Sequence, residues 1–600
     1  MTLIEKIIAA RSGKDNVNPG EIVSLCIDSR AARDFGGANV VKQLEEKGLG
    51  VEDPSKTCFT FDCNPTGSDQ KYAENQHKCR LFARRHGIKV YDINSGIGTH
   101  LAVDNGLAWP GSTFVSTDSH ANILGAIGAF GQGMGDMDIA SAFAYGKVWF
   151  KVPGSVKIVL KAMPPEGTEP KDVALFMMKK YGANGLLGFS AEVYGEYADK
   201  LSLNGRITIS SLATEMGAII ILFPPSKEIV EYSKTRARDK NWQPVFADDN
   251  AAYERTDEFD LSKVSPMVSR PGHPEDTVPI EEVLGTKVDS VFIGSCTNGR
   301  IEDLREAAEV LKGRKVAEGL VLKIVPSTDE VWKKAMDEGL FEIFKKAGAL
   351  VSNAGCAGCA AGQVGQNGPD EVTVSTGNRN FSGKQGKGEV YLAGPKVAAA
   401  SAVAGFITDP KRMNDKIGIK SKTPAHKPAA ASTGKSAASQ KPLKIKGRVW
   451  VVRKDNIDTD MIFHNRHLAI TKLEEMGPHA FGNLEGWEDF PKKAKPGDIV
   501  VTGENFGAGS SRQQAVDCFK ALGAGAIVAK SYGAIYERNA INAGLPIVVS
   551  GIIDTDIKDG EEIELDFAAG TIKRADGTIV KATPWAPVQV EIYNRGGLLG

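Results

Sequence analysis

Short apolar runs alternate with helical patterns and glycine-rich turns along the first half of the chain. Residues 111–117 form a run with the apolar and β-branched content of a strand, and the alanine- and glycine-rich residues 121–148 have the pattern of a long helix. Residues 288–293 and 321–326 repeat the strand pattern, with a helical pattern over 303–312 between them. This alternation predicts an α/β fold.

The N-terminus is predicted to form a helix, because Leu3, Ile4, Ile7 and Ile8 have helical spacing. Charged residues at positions 5 and 6 interrupt any secretory apolar segment. The longest apolar run, residues 216–223, is far shorter than the ~20 residues needed to cross a bilayer. We therefore expect no membrane partner.

A composition break divides the chain near its last quarter. Residues 421–443 contain no acidic and no aromatic residue, so they cannot bury enough apolar surface to offset the entropy of ordering. We expect a flexible linker there. The predicted organisation is two α/β domains over 1–285, a third over 286–420, the linker over 421–443 and a smaller domain over 444–600. Short β runs in the smaller domain cover 448–452, 498–502, 526–530 and 546–550.

Composition excludes several classes of protein. The 600 residues are 42% hydrophobic and 24% charged, with a formal net charge of -1, which excludes a disordered chain and offers no basic surface for nucleic acid. The eight cysteines are too few and too unevenly spaced for a disulfide framework. Free thiols are typical of a reducing compartment, so the predicted location is the cytoplasm.

Three thiols are the best candidates for chemistry. Cys356 and Cys359 form a C-x-x-C pair in N-A-G-C-A-G-C-A, and Cys296 lies in I-G-S-C-T-N-G-R. Three thiolates on one metal centre leave a coordination position open for substrate. The spacing alone is equally compatible with a structural zinc site or a redox dithiol. However, a closed zinc site needs a fourth ligand, and a dithiol does not need Cys296.

Three further motifs lie in loops. T-D-S-H at residues 117–120 directly follows an apolar strand pattern, which is where α/β folds place their sites. N-R-N-F occupies 378–381 and G-S-S-R occupies 509–512. The glycine-rich run at 131–135 lacks the strand–turn–helix context of a phosphate loop, and we interpret it as helix packing.

Taken together, these five motifs resemble those of the aconitase superfamily, and most closely those of its 3-isopropylmalate dehydratase and homoaconitase members. In that group the large and small subunits are often separate chains. Here residues 1–420 resemble the large subunit and 444–600 the small one, so both are joined in one chain. The resemblance implies a three-domain α/β/α catalytic unit followed by a C-terminal swivelling β/α domain.

The resemblance also implies an activity and a cofactor. A 4Fe-4S cluster would be held by Cys296, Cys356 and Cys359, and its fourth iron would bind the hydroxyl and a carboxylate of the substrate. The implied reaction is that of a hydro-lyase on a malate-like 2-hydroxy di- or tricarboxylate, with 3-isopropylmalate the first candidate. Aconitase, homoaconitase and dimethylmalate-type activities are alternatives, as is a non-catalytic RNA-binding or cluster-bearing protein. We expect a monomer or a small homo-oligomer.

Matching the motifs position by position assigns further site residues. Ser510 corresponds to the serine base. The residues assigned to proton transfer are Asp118, His120, Asp62, Glu192 and His100. The residues assigned to substrate binding are Arg379, Lys384, Ser511, Arg512, Arg466 and Ser119, with Lys384 standing where a second arginine is expected.

Two positions depart from the family pattern. Cys63 and Thr99 stand where an acid–base histidine is expected, and a thiol is a poor substitute for an imidazole because its unperturbed pKa is about 8.5. Three explanations remain open at this point. The substrate is a different one whose leaving group is handled through Asp118 and His120 alone, or His100 is repositioned by a local backbone shift, or activity is reduced or lost.

Overall fold

The computed structural model describes residues 1–67, 69–360, 363–415, 441–468 and 470–599. The chain divides into two compact units, which are described separately. The first unit consists of Met1–Gly37, Val51–Gln132 and Tyr145–Ala425, and the second of Ala38–Gly50, Gly133–Ala144 and His426–Gly600. Most of the expected linker, residues 421–440, lies outside the described residues, and its flexibility stays a prediction.

The strands before residue 415 are β1 Ile22–Cys26, β2 Ser29–Arg33, β3 Thr57–Thr60, β4 Lys89–Tyr91, β5 Thr113–Ser116, β6 Phe130–Gly133, β7 Lys147–Lys151, β8 Ser155–Lys161, β9 Ser190–Tyr194, β10 Ile220–Leu222, β11 Arg255–Asp260, β12 Met267–Ser269, β13 Thr277–Pro279, β14 Ser290–Ile293, β15 Val321–Ile324, β16 Leu350–Val351, β17 Val372–Ser375 and β18 Glu389–Leu392. Those after residue 441 are β19 Lys444–Val452, β20 Ile499–Thr502, β21 Ala526–Ala529, β22 Ile547–Val549, β23 Glu562–Asp566, β24 Thr571–Arg574 and β25 Ile579–Lys581.

The α-helices are α1 Leu3–Ser12, α2 Gly37–Lys47, α3 Gln70–His86, α4 Gly98–Asp104, α5 Asp136–Tyr145, α6 Pro170–Tyr181, α7 Glu196–Lys200, α8 Leu203–Ser210, α9 Lys227–Arg236, α10 Ser295–Asn298, α11 Ile301–Leu311, α12 Asp329–Asp337, α13 Leu340–Ala347, α14 Pro395–Ala404, α15 Thr459–Ile462, α16 Phe490–Lys493, α17 Gln514–Ala521, α18 Ala534–Ala543 and α19 Pro587–Arg595. Two short 3-10 helices also carry residues discussed below, Ser119–Ile127 and Ala357–Ala360. Within the described ranges, no helix combines the length and apolarity needed to cross a membrane.

Three larger sheets form the first unit, which confirms the predicted α/β class. Their strand orders are β4-β3-β2-β5-β6, β10-β9-β8-β11 and β13-β12-β18-β17-β14-β15-β16. Neighbours β14, β15, β16, β17 and β18 are parallel, and so are β2, β3, β4 and β5. Since the carboxyl ends of parallel strands share one edge of a sheet, residues that follow these strands are brought together.

The second unit is built on a mixed sheet with the order β22-β21-β20-β19-β23-β24-β25. β19 to β22 are parallel and β23 to β25 run antiparallel to their neighbours. The four short β runs expected from the sequence therefore form four neighbouring strands of this seven-stranded sheet. Its core contains Val449, Ile499, Val528 and Ile563, all almost fully buried.

The prediction of one long helix over residues 121–148 is wrong. The structure has the 3-10 helix Ser119–Ile127, then β6, then α5. Gly128, at φ 71°, ends the first helix in the left-handed region that favours glycine. A Cβ on Gly131 would lie 2.0 Å from the carbonyl oxygen of Ala121, so this glycine lets β6 approach the helix closely. The glycine-rich run 131–135 therefore begins in a strand, and two of its glycines allow close packing against helices, Gly131 against Ser119–Ile127 and Gly135 against α18.

The expected boundary at residue 285 also differs from the sheet topology. β12 and β13 precede that boundary, but β12 pairs with β18 and so extends the sheet that contains β14. In addition, residues 38–50 and 133–144 group with the second unit. The limits of the individual domains stay a prediction.

A buried ion pair ties α5 to α18 within the second unit. Arg538 contacts Asp138 through Nε and Nη2, both at 2.8 Å from Oδ1, and Asn542 donates to the other oxygen at 2.6 Å. Asp138 is fully buried. Removing one partner of such a pair typically costs ~3–5 kcal/mol, so this contact is a strong link between a helix from the first quarter of the chain and the C-terminal part.

We predict that a chain cut within residues 421–440 and produced as two fragments still associates, because the fragments share this buried ion pair. Asp138→Ala in the cut protein should weaken association on the order of 100-fold, since about 3 kcal/mol is lost. Titration of one fragment with the other by calorimetry measures this. Glu562→Gln, which removes an exposed ion pair with Lys446, is the matched control and should have little effect. If the two unsubstituted fragments elute separately in gel filtration, the covalent linker is needed for assembly and the prediction is wrong.

Candidate active site

The three thiols lie together in the first unit. Cys296 and Cys356 are buried in one cluster with Ile97, and Cys359 packs against that cluster. Cys296 follows β14, and the C-x-x-C pair follows β16, so the thiols come from the carboxyl ends of parallel strands in one sheet. The sequence prediction that these three residues form one group agrees with this arrangement.

The backbone around Cys296 has a conformation that glycine makes possible. Gly294 has a φ of 157°, and a Cβ there would lie 2.6 Å from the carbonyl oxygen of Val325. The Thr376 hydroxyl accepts a hydrogen bond from Gly294 N at 2.9 Å and donates to its carbonyl oxygen at 3.0 Å. The Cys296 thiol donates to Asn378 Oδ1 at 3.3 Å. The loop after β17 is therefore fastened to the loop that carries this thiol.

Positive charge surrounds the C-x-x-C pair. A hydrogen bond from the Cys356 thiol lowers the pKa of Cys359 well below its usual value, and Lys384, His120 and Arg379 lower it further against the effect of burial. The same hydrogen bond, together with burial, raises the pKa of Cys356. Thiolates are the form that binds metal, so this surrounding favours a metal-ligating state.

The distances between potential ligand atoms indicate whether the site suits a single metal ion or a metal cluster. Among the described residues, Asp34, Asp62 and Cys63 are the one set of three that places potential ligand atoms within 4.8 Å of one another. The Asp34 oxygens, however, accept from the backbone N–H groups of Cys63 and Asn64 at 3.0 and 2.9 Å, and from Gln76 at 3.0 Å. This set is therefore satisfied by the protein itself. Buried thiols in cationic surroundings suit an iron–sulfur cluster.

Arg33 links two carboxylates that follow β3 and β5. Its Nε donates to Asp62 Oδ1 at 2.7 Å, and its Nη1 lies 3.2 Å from Asp118 Oδ1. Burial raises the pKa of Asp62 to about 6, although Arg33 opposes the rise. Burial also tends to raise the pKa of Asp118, but Arg33 and His120 outweigh it and the pKa is lowered. The backbone carbonyl of Asp62 accepts from Cys356 N at 2.9 Å, which joins this group to the thiols.

His120 and Arg379 share a carboxylate that the sequence analysis missed. Glu215 Oε1 lies 3.2 Å from His120 Nε2 and 2.8 Å from Arg379 Nε, and all three side chains are buried. Burial opposes the charge on His120, but the neighbouring Cys296 sulfur and Glu215 carboxylate raise its pKa to about 10. The Ser119 hydroxyl completes the group, 3.4 Å from His120 Nδ1 and 3.5 Å from Arg379 Nη1.

Several buried polar atoms of this group have no protein partner among the described residues. They include Arg33 Nη2, Asp118 Oδ2 and Glu215 Oε2. An unsatisfied buried polar atom costs ~1–3 kcal/mol, and such atoms cluster where a ligand supplies the missing bonds. Donors and acceptors are both left over, which suits a ligand that carries both a hydroxyl and a carboxylate.

The positions that depart from the family pattern lie in the same region. The Cys63 thiol donates to Asp62 Oδ1 at 3.5 Å, and burial raises its pKa well above the usual value, so it stays protonated. Thr99 is buried with no partner for its hydroxyl among the described residues. His100 lies 3.0 Å from the Cys296 carbonyl and 3.3 Å from Arg300 Nη1, and burial with the Arg300 charge lowers its pKa to about 4.

The structure engages Glu192 elsewhere, which corrects its assignment to proton transfer. Its Oε1 accepts from Leu3 N at 2.6 Å, and its Oε2 accepts from the hydroxyls of Tyr194 and Tyr253, both at 2.7 Å. Both oxygens are thus committed to α1 and to two tyrosines. The carboxylate beside His120 and Arg379 is that of Glu215. Its signal in the sequence is a lone acid inside the apolar stretch 207–223, where a buried carboxylate needs charged partners.

In the second unit, Ser510 lies on a tight loop between β20 and α17. Gly509 has a φ of 88°, and a Cβ there would lie 1.9 Å from Asp458 Oδ2. Thr459 donates from its hydroxyl to the Ser510 carbonyl at 3.0 Å. Segment 455–462 is therefore packed directly on the G-S-S-R loop, and glycine is required for that approach.

The three residues of this unit predicted to bind substrate differ in their burial and in their hydrogen-bond partners. Arg512 is buried, pairs with Asp460 and donates to the Phe463 carbonyl at 2.9 Å. The Ser511 hydroxyl is buried with no partner among the described residues, whereas Arg466 is exposed. In the first unit, Lys384 is buried with its ammonium 6.0 Å from the centre of the Phe381 ring.

Known proteins resemble the chain over both units. Residues 5–405 match the aconitase family (aconitate hydratase), and residues 440–550 match the aconitase C-terminal domain. A probable 3-isopropylmalate dehydratase large subunit of Methanothermobacter thermautotrophicus is 40% identical over 414 residues, which cover 68% of this chain and 99% of that protein. The homoaconitase large subunit of Thermus thermophilus is 39% identical over 417 residues, covering 69% of this chain and 98% of that protein.

A solved structure of 3-isopropylmalate dehydratase from Methanocaldococcus jannaschii is 39% identical to the chain, with a TM-score of 0.25, and covers 26% of this chain and 91% of that one. The family match over residues 5–405 spans the three thiols, T-D-S-H and N-R-N-F, and it confirms the resemblance drawn from those motifs. The chain therefore belongs to the aconitase family of hydro-lyases, with the main and C-terminal family domains joined in one polypeptide.

Proposed function

We propose that the protein dehydrates and rehydrates a malate-like 2-hydroxy di- or tricarboxylate, with 3-isopropylmalate the first candidate and homoaconitate and citrate-type acids the alternatives. The observation that carries this proposal is the buried group of His120, Glu215 and Arg379 beside three thiols, with donors and acceptors left over. Names of relatives at about 40% identity support the choice of first substrate.

Cys296, Cys356 and Cys359 are proposed to hold a 4Fe-4S cluster. When bound, that cluster supplies an open iron that acts as a Lewis acid on a hydroxyl group. The protein contributes the electrostatic setting, because Lys384, His120 and Arg379 stabilise negative charge on Cys359. The same cations favour a substrate that brings two or more carboxylates.

His120 is proposed to give a proton to the departing hydroxyl. Glu215 accepts from His120 Nε2 and so orients the ring, and Ser119 lies on the Nδ1 side. Orientation of a histidine by a carboxylate is typical of general acid–base catalysis. Asp118, with one oxygen still free of protein partners among the described residues, is placed to accept a hydrogen bond from the substrate.

The departures at Cys63 and Thr99 are best explained by proton transfer through His120. His100 is poorly suited to replace the missing histidines, because Arg300 Nη1 donates to one of its nitrogens and the other donates to the Cys296 carbonyl, which is the arrangement of a neutral ring. Its pKa of about 4 also keeps it neutral near pH 7. We therefore propose that His100 positions the Cys296 loop and does not donate a proton.

Ser510 is proposed to remove a proton from the carbon next to the leaving group. A serine acts as a base only where nearby positive charge and N–H groups stabilise its alkoxide. Arg512 supplies the charge two residues away, and the left-handed Gly507 and Gly509 shape the loop. The buried, unpartnered Ser511 hydroxyl leaves a donor free for a substrate carboxylate.

Replacing any one of the three site cysteines by alanine should abolish cluster assembly, because three thiolates are the minimum set of ligands. Iron and acid-labile sulfide are measured after anaerobic reconstitution, and both should fall to background. Cys518→Ala is the matched control, since that thiol is buried in the second unit and donates to the Ala515 carbonyl. Wild-type protein that takes up one zinc per chain and no iron would contradict the proposal.

Ser510→Ala should lower kcat on the order of 1,000-fold or more while KM changes little, because the hydroxyl is needed only as the C–H bond breaks. Turnover is followed at the absorbance of the unsaturated product for a panel of 2-hydroxy di- and tricarboxylates. Ser550→Ala is the control, because that hydroxyl donates to the Lys581 carbonyl and belongs to no site. Wild-type turnover by Ser510→Ala would require another base.

Glu215→Gln should lower kcat about 100-fold or more, because a neutral amide orients the His120 ring less firmly and stabilises its positive charge less than a carboxylate does. Glu192→Gln is a matched control, because Glu192 is also a buried glutamate but contacts Leu3 and two tyrosines. Its kcat should stay within about threefold of wild type. The reverse ranking of the two variants would restore Glu192 to the active site.

A further inference from the structure

A cavity of about 290 Å³ lies within the second unit, apart from the residues assigned to catalysis. Its wall is formed by α2, by the start of α5, by α17 and by the residues that follow α19. Small-molecule pockets are usually ~300–1,000 Å³, so this one has room for a small metabolite and not for a nucleotide.

Three oxygen acceptors line one part of the cavity. Asp136 is buried and accepts one hydrogen bond from Asn39 at 2.9 Å. Asp517 is half-buried and accepts from Gln513 Nε2 at 3.0 Å. That bond fixes the amide of Gln513, which is 5% exposed, and leaves its Oε1 without a partner among the described residues.

This set of acceptors matches a primary ammonium group. An ammonium carries three donors, and Asp136, Asp517 and Gln513 Oε1 offer three acceptors, two of them acidic. Burial, reinforced by the charge of Asp517, raises the pKa of Asp136 to about 7. A cation bound between the two acids would remove the repulsion between them.

Cations and apolar side chains also line the cavity. Lys42 and Arg595 line the cavity with side chains that are 35% and 45% exposed. Lys42 donates to the Thr471 carbonyl at 3.3 Å and lies 3.9 Å from Glu46, which also lines the cavity, and Arg595 lies 3.8 Å from Glu591. Both ion pairs are exposed and weak, so either cation can exchange its partner for a ligand carboxylate. Lys520 also lines it, although its ammonium donates to the Ala543 carbonyl at 2.6 Å. Met137 and Met476 supply apolar surface.

We propose that this cavity binds a small α-amino acid with an aliphatic side chain. Its ammonium contacts Asp136, Asp517 and Gln513, its carboxylate contacts Lys42 or Arg595, and its side chain lies on the two methionines. A bare metal ion would leave most of the volume empty, and a dianion would face two acids. The site is separate from the hydro-lyase chemistry, so the proposal does not depend on it.

The test is calorimetric titration of the full chain with L-leucine, L-valine and L-norleucine. One site per chain with a Kd below about 1 mM is expected for at least one of them. Pentylamine and hexanoate, which are norleucine without its carboxylate or without its ammonium, should each bind at least about 10-fold more weakly than norleucine. No heat from any amino acid at about 10 mM overturns the proposal. An amine or an acid that binds as tightly as the amino acid also overturns it, in favour of a site for one charge only.

Two substitutions locate the site. Asp517→Asn removes one acid, and Gln513→Met removes the unpartnered oxygen at similar volume; each should weaken binding about 10-fold or more. Gln513→Met decides the matter if Asp517→Asn fails to fold. Asp489→Asn is the matched control, because Asp489 is exposed, pairs with Lys493 and lies outside the cavity. Unchanged binding in both site variants would place the ligand elsewhere and overturn the proposal.

Discussion

Buried positive charge is the constraint on which the site in the first unit depends. A charge removed from water is tolerated only where acceptors surround it, so each cation fixes the strands and loops that supply those acceptors. Arg33 joins two strand ends through carboxylates, and His120 meets Glu215 from a separate segment. Lys171 applies the same constraint to the loop after β17. It is fully buried, and its ammonium donates to the carbonyls of Thr376 and Gly377 at 3.1 and 2.7 Å, beside Arg379. The wall around the thiols is therefore shaped by the need to satisfy charge as much as by apolar packing.

Features that depend on local pattern were predictable from the sequence. Apolar runs followed by polar loops identified β5, β14 and β15 to within two residues at each end, and the same signal led to Asp118, His120 and Cys296. The α/β class and the existence of a separate C-terminal sheet followed from the same alternation of runs. The helix expected over 121–148 failed because composition there resembles a helix while Gly128 and Gly131 serve a turn and a close strand contact.

Pairings between distant segments were not predictable. Glu215 contacts Arg379, which lies 164 positions later in the sequence, and the local pattern around either residue does not predict the other as its partner. The sequence analysis named Glu192 and missed Glu215 for this reason: both are acids in apolar surroundings, and only the fold shows that one binds tyrosines and the other an imidazole. The grouping of residues 38–50 and 133–144 with the C-terminal part is a fact of the same kind. Such contacts arise from topology, on which a single sequence without relatives carries little information.

The discontinuous second unit has a consequence for how the protein is made. Helix α5 receives its ion-pair partner on α18 from a residue 400 positions later, as the numbers of Asp138 and Arg538 show. At a synthesis rate of about 5–20 residues per second, that interval lasts roughly 20–80 s. During that time, the faces of α2 and α5 that belong to the second unit are on a ribosome-bound chain without their C-terminal partners. These helix faces are therefore exposed to wrong partners for far longer than a face whose partner lies in the next segment of the chain.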